Sequence, residues 1–292
     1  MPTAPKRQRS FVTSNVTDGT GSTIEHSKQV RIVRTQSRLR MLVEQLPNGR
    51  KRLHLKGIDT IAIPTELYEL TDLDILDVTP ESKSGMNYTL SRVPADFRFL
   101  INLKCLHLDN NNIVSFPAEI GELPHLETLT VSNNHLTTLP DQIRQLQRLQ
   151  SCHLSNNKIE DMPSCLCYLS KSLLFLDLSY NYLRQIPSSI HNLKQLRTLL
   201  LLGNRIKTLP DSVCQLSKLE TLWLGDNKLA ELPKSFPQLK HLDWYHHCEL
   251  SSNFEGNPLK KFSFDENEDS QSFAQEIQSN KIYLFSKLPM SQ

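Results

Sequence analysis

Two stretches hold the residue types that metal and thiol chemistry use. "HLDWYHHCE", residues 241–249, gathers His241, Asp243, His246, His247 and Cys248. Imidazole, carboxylate and thiolate are the donors zinc takes, but these spacings match no standard zinc pattern. Adjacent His246 and His247 would point to opposite faces of a strand. Cys165 and Cys167 form CxC, one residue short of the redox CxxC arrangement. His107 and His153 occupy equivalent places of a repeat two units apart, roughly 10 Å, too far to cooperate directly. The nine glycines form no phosphate loop. No catalytic site, metal, cofactor or small-molecule substrate is expected.

Composition is ordinary: 292 residues, 38% hydrophobic, 22% charged, formal net charge +2. That balance favours neither nucleic acid nor membrane, and no apolar run approaches the roughly 18 residues that span a bilayer. "MPTAPKRQRSFVTSNVTDGT" lacks the apolar core of a secretory signal, so the sequons at Asn15 and Asn87 are expected to be silent. The six cysteines (Cys105, Cys152, Cys165, Cys167, Cys214, Cys248) are scattered rather than clustered at the ends, as secreted repeat proteins have them. The expected setting is cytoplasmic, with a nuclear location open, and the thiols reduced.

Self-similarity organises the chain. Units start at Leu103, Leu126, Leu149, Leu173, Leu196, Leu219 and Leu242, at spacings of 23, 23, 24, 23, 23 and 23 residues. "LETLTVSNNHLTTLPDQIRQLQR" (126–148) shows the pattern LxxLxLxxNxLxxLPxxIxxL. Leu73 opens another unit that resumes at "LSRVPADFRFL" after an insertion, and Arg50 a degenerate one in which Ile58 and Thr60 replace the usual Asn and Leu. The unit of Leu242 carries an insertion too and resumes at "NPLKKF". LxL alternates with period two, giving a short strand with its leucines inward; Cys152 takes one such place and should be inert core. The ninth-place asparagines (Asn111, Asn134, Asn157, Asn181, Asn204, Asn227) can satisfy backbone groups that a tight buried turn leaves unpaired. Leu-Pro then fixes φ and starts the return arm. No unit can bury its leucines alone, so stacking must make one core and a parallel sheet.

These motifs resemble the leucine-rich repeat family, over about residues 50–262, and within it the intracellular 23-residue Leu-Pro class of Ras-suppressor and Ras-pathway scaffolds. The resemblance implies an α/β solenoid of eight to nine repeats: a curved arc with a parallel sheet on its concave face and irregular, 3₁₀ or short helical segments outside. It also implies a non-catalytic protein-binding scaffold; the chain is expected to be monomeric alone. Around it the expected segments are a basic Ser/Thr-rich disordered tail (1–27), a helical cap (28–49) and, after the repeats, an acidic turn with a C-terminal capping segment (263–292). In the cap Val30, Val33, Leu39, Leu42, Val43 and Leu46 fall at imperfect helical spacing.

Function is then sought on strand residues facing out of the concave side, at the third, fifth and seventh places, with the second and eighth beside them. The wall is small and polar from Cys105 to Ser155. From Phe175 onward Phe175, Tyr180, Leu200, Leu202, Trp223 and Trp244 gather on neighbouring strands, rimmed by Arg197, Glu220 and Asp226. In "TLLLLGN" (198–204), Leu199 and Leu201 suffice for the core; Leu200 and Leu202 have no packing duty of their own. Apolar side chains in a charged rim have the anatomy of a contact hot spot. The alternative is that the chain's own Phe273–Phe285 stretch covers them. Two further readings are a recruiting subunit of a phosphatase or ubiquitin ligase, from the faint docking motif "KKFSF" (260–264), and nucleic-acid or membrane attachment through the basic N-terminal segment.

Overall fold

A computed structural model describes residues 39–55, 63–80, 89–242 and 254–259. Nine short strands form one sheet in sequence order: β1 (Val43–Gln45), β2 (Lys51–His54), β3 (Ile75–Asp77), β4 (Cys105–His107), β5 (Thr128–Thr130), β6 (Ser151–His153), β7 (Phe175–Asp177), β8 (Thr198–Leu200) and β9 (Thr221–Trp223). From β2 to β9 every neighbouring pair is parallel and in the register of the repeat, Leu176 beside Leu199 and Leu199 beside Leu222. The result is an open, curved leucine-rich repeat solenoid with the sheet lining its concave face.

From β4 to β8 each strand is followed by a return arm that enters a 3₁₀ turn directly after proline. Pro117, Pro140, Pro163, Pro187 and Pro210 stand at the N-caps in extended backbone. Proline fixes φ where no amide donor is needed, and a five-residue 3₁₀ segment is about as long as that geometry sustains. Each turn sends one large side chain inward: Ile120, Ile143, Leu166, Ile190 and Val213 are buried. With the strand leucines they make one continuous core, in which Leu106, Leu129, Cys152, Leu176, Leu199 and Leu222 are fully buried.

The ninth-place asparagines tie consecutive units together. Asn134 donates from Nδ2 to Leu108 O of the preceding unit at 2.9 Å and accepts at Oδ1 from Ile113 N at 2.9 Å. Asn157, Asn181, Asn204 and Asn227 repeat this arrangement. Both interrupted units resume it: Leu90 N donates to Asn111 Oδ1 at 2.8 Å, and Asn257 donates to Leu224 O while accepting from Leu229 N.

The N-terminal cap departs from the helical expectation for 28–49. Only a turn at 39–41 is helical among its described residues; Val43–Gln45 is a strand antiparallel to β2. The cause is Asn48-Gly49, a hairpin signal the helical spacing masks. Gly49 takes φ +78°, its N–H donates to Leu46 O, and Asn48 Oδ1 accepts from Arg50 N. An antiparallel strand satisfies the open edge of β2, while Leu39 enters the core and Leu42 stays exposed. Val30 and Val33 lie outside the described residues, as do the tail 1–27 and the segment 263–292.

Candidate concave binding wall

On the concave side the strands present two surfaces of different chemistry. From β2 to β7 the polar side chains bond to one another. His54 Nδ1 lies 3.5 Å from Asp77 Oδ2, and Asp77 Oδ1 accepts from Thr79 N. Thr130 gives its only hydroxyl proton to Asp109 Oδ2, so its oxygen accepts from His107 Nδ1 at 3.1 Å, which fixes the tautomer of that ring. Asp109 Oδ1 accepts from Ser132 N, and Ser155 Oγ donates to Ser132 Oγ at 3.0 Å. Ser151 Oγ lies 2.8 Å from His153 Nε2. That pair sits against the Phe175 ring, stacked on His153 at 4.5 Å between centroids. Burial lowers the basicity of His153, with Asp177 opposing it.

From β8 the wall turns apolar. Leu200 and Leu202 are half-buried on the face opposite Leu199 and Leu201, and Trp223 stands beside Leu200 in register. Leu174, at the second place before β7, adds a half-buried leucine the sequence reading did not include. The other candidates distribute around this centre. Phe175 is drawn toward His153, and Ser179 is buried with its N–H on Asp177 Oδ1. Arg197 and Glu220 pair with each other at 3.2 Å on the rim before the strands. Tyr180 and Asp226 stand on the opposite rim, and Trp244 lies outside the described residues.

Tyr180 joins Asp226 on the rim instead of the wall because the eighth place is left-handed. Asn110, Asn133, Asn156, Tyr180 and Asp226 all have φ between 50° and 58°, and Gly203 has 68°. Asn133 Nδ2 donates to Asn110 Oδ1 and Asn156 Nδ2 to Asn133 Oδ1, a second and exposed amide ladder. Tyr180, 55% exposed, lies over Gly203, where an added Cβ would fall 2.6 Å from its ring. Asp226 N donates to Glu255 O of the last unit. The Asn/Asp/Gly content of this column was the available signal.

Of the residues that drew attention as chemistry, Asp243, His246, His247, Cys248 and "KKFSF" lie outside the described residues. Among those described, no group of three or more His, Cys, Asp or Glu could hold a metal, and no helix is long and apolar enough to cross a membrane. The five described cysteines are free and buried. Burial pushes the Cys152 thiol up to about 12 and Cys165 up to about 11, and raises Cys105, Cys167 and Cys214. Since the thiolate is the nucleophile, iodoacetamide at about pH 8 is expected to leave these five unmodified in the folded protein and to label all of them in denaturant. Peptide-resolved mass spectrometry checks this; rapid native labelling of Cys152 would contradict it.

Family models for leucine-rich repeats match residues 101–159, and again 172–193 and 218–239. The chain carries leucine-rich repeats. Among solved structures, a leucine-rich repeat protein of Leptospira interrogans is 28% identical with a TM-score of 0.64, covering 82% of this chain and 62% of its own. The leucine-rich repeat ectodomain of the plant membrane receptor kinase GASSHO1/SCHENGEN3 from Arabidopsis thaliana, solved in complex with CASPARIAN STRIP INTEGRITY FACTOR 2, is 25% identical with a TM-score of 0.57 over 74% of this chain and 28% of its own. An internalin from Listeria monocytogenes, at 21% identity and a TM-score of 0.54, shares the fold. The chain thus spans less than two thirds of the length of these relatives. No curated protein matches it in sequence. Leucine-rich repeat domains generally mediate protein–protein interaction.

Proposed function

We propose that this protein is a non-catalytic, cytoplasmic scaffold of the 23-residue Leu-Pro class, which binds a partner protein through the C-terminal half of its concave wall. One observation carries the reading: polar side chains of the wall are engaged with one another, whereas Leu200 at the end of β8 and Leu202 just after it lie on the open face with the core already filled by Leu199 and Leu201. Half-buried leucines beside a tryptophan gain by desolvation against a partner. The Arabidopsis ectodomain, solved with a second molecule bound, supports using such a scaffold for recognition.

Affinity purification from cells, wild type against Leu200→Glu and Leu202→Glu, tests it. A shared set of proteins should fall by on the order of tenfold or more in both variants, since a charge in a desolvated contact costs more than about 1.4 kcal/mol. Lys171→Glu, in the exposed turn before β7, should retain the set. Retention by the two leucine variants, with melting curves like wild type, would refute the reading.

A further inference from the structure

Outside the wall, beyond the eighth place, lies a flank whose charges are distributed unlike those of the wall's other rim. Its tenth-place residues are held in line by a backbone ladder running from unit to unit. His135, Lys158, Tyr182, Arg205 and Lys228 donate their N–H to Ile113, Leu136, Ile159, Leu183 and Ile206 O at 2.8–2.9 Å. Their spacing is therefore about one inter-strand distance, roughly 4.8 Å. All five are exposed, as are Arg184 and Lys207 two places on. Arg184 pairs with Glu160 at 2.7 Å. Lys158, Arg205, Lys207 and Lys228 have no acidic partner within 4 Å among the described residues. On the opposite rim the cations are matched: Arg50 with Glu127, Lys51 with Asp72, Lys104 with Asp74, Arg197 with Glu220.

We propose that this flank, from Lys158 to Lys228, is a second contact surface for an acidic segment of the polypeptide that occupies the wall; the inference rests on the wall reading above. The two surfaces share repeats and are separated by one ridge. Leu202 faces the wall, Arg205 faces the flank, and between them Gly203 carries the exposed Tyr180 ring. Arg205 lies over the Tyr182 ring, 4.4 Å from its centroid. Stacking orients the planar guanidinium and leaves its edge donors for a carboxylate. A peptide suits the flank better than nucleic acid. Arg205 already covers a face of Tyr182 that a base would stack on, and the guanidinium edge left free suits a carboxylate.

Fluorescence anisotropy at about 0.15 M salt, where the Debye length is about 8 Å, with labelled oligoglutamate and labelled oligouridylate of matched length, tests the proposal on the full chain. Oligoglutamate should bind more tightly than oligouridylate. Combining Lys158→Glu, Arg205→Glu, Lys207→Glu and Lys228→Glu should weaken it on the order of tenfold or more. Combining Arg148→Glu, Lys171→Glu, Lys194→Glu and Lys218→Glu gives the same net charge from exposed sites elsewhere and should change affinity less than about twofold. Leu200→Glu should leave oligoglutamate binding intact even though it removes the wall contact, so loss of one surface is read separately from loss of the other. Equal weakening by both charge-reversed sets, tighter binding of oligouridylate, or no binding of oligoglutamate would each overturn the inference.

Discussion

Replacing Asn157 with alanine is expected to cost about 2–3 kcal/mol of stability, more than an amide at a turn usually contributes. Asn157 Oδ1 accepts from Leu136 N at 2.9 Å, and Nδ2 reaches Val131 O, Leu154 O and Ser155 O at 2.9, 3.1 and 3.2 Å. Leu136, Val131 and Leu154 are fully buried; Val131 O and Leu154 O keep Asn134 Nδ2 and Asn181 Nδ2 when the amide goes, but Leu136 N loses its acceptor. An orphaned buried donor costs about 1–3 kcal/mol, and the carbonyls lose one of their two donors besides. Asn157→Asp should be worse at neutral pH, because it keeps the acceptor and sets a carboxylate against three carbonyls. Burial and those carbonyls raise the carboxyl's pKa in the fold. The unfolded chain then releases its proton first, so the variant loses stability as pH rises above about 3.9, the ordinary aspartate value. Asn156→Gly, one residue away, should be nearly neutral: it loses an exposed bond to Asn133 but fits a φ of 53°. Denaturant melts of the three variants separate these outcomes, and an Asn157→Ala cost below about 1 kcal/mol would contradict the ladder's structural role.

The second large effect concerns four adjacent leucines. Leu199→Ala and Leu201→Ala remove fully buried side chains and are expected to cost about 2–5 kcal/mol each. Leu200→Ala and Leu202→Ala, half-buried on the other face, should each cost under about 1 kcal/mol in the isolated protein. The expected pattern along the chain is high, low, high, low. Equal costs at all four positions would mean that the strand is dry on both faces.

Much of the fold was legible because a stacked repeat imposes the same demand on every unit. The inward leucines, the ninth-place asparagines and the Leu-Pro step recur for that reason, and the structure uses each as its type suggests. The antiparallel β1 was not legible from helical spacing, since it occurs once and depends on Asn48-Gly49. Outward residues are harder still, because the repeat does not constrain them. Whether Thr130 bonds His107, or Phe175 turns toward His153 instead of Leu200, is decided by cross-strand register and not by place in the unit. Tyr180 looks like a wall residue when counted from the strand. The left-handed backbone at the eighth place carries it to the rim, beside the column of Asp226.

Site-specific photo-cross-linking tests the wall most directly. A benzophenone amino acid in place of Leu200, in cells, should capture a second protein, and the same group in place of Lys171 should not. Cross-links from position 200 that join only to this chain's own residues 263–292, or that match those from position 171, would show that Leu200 faces no partner.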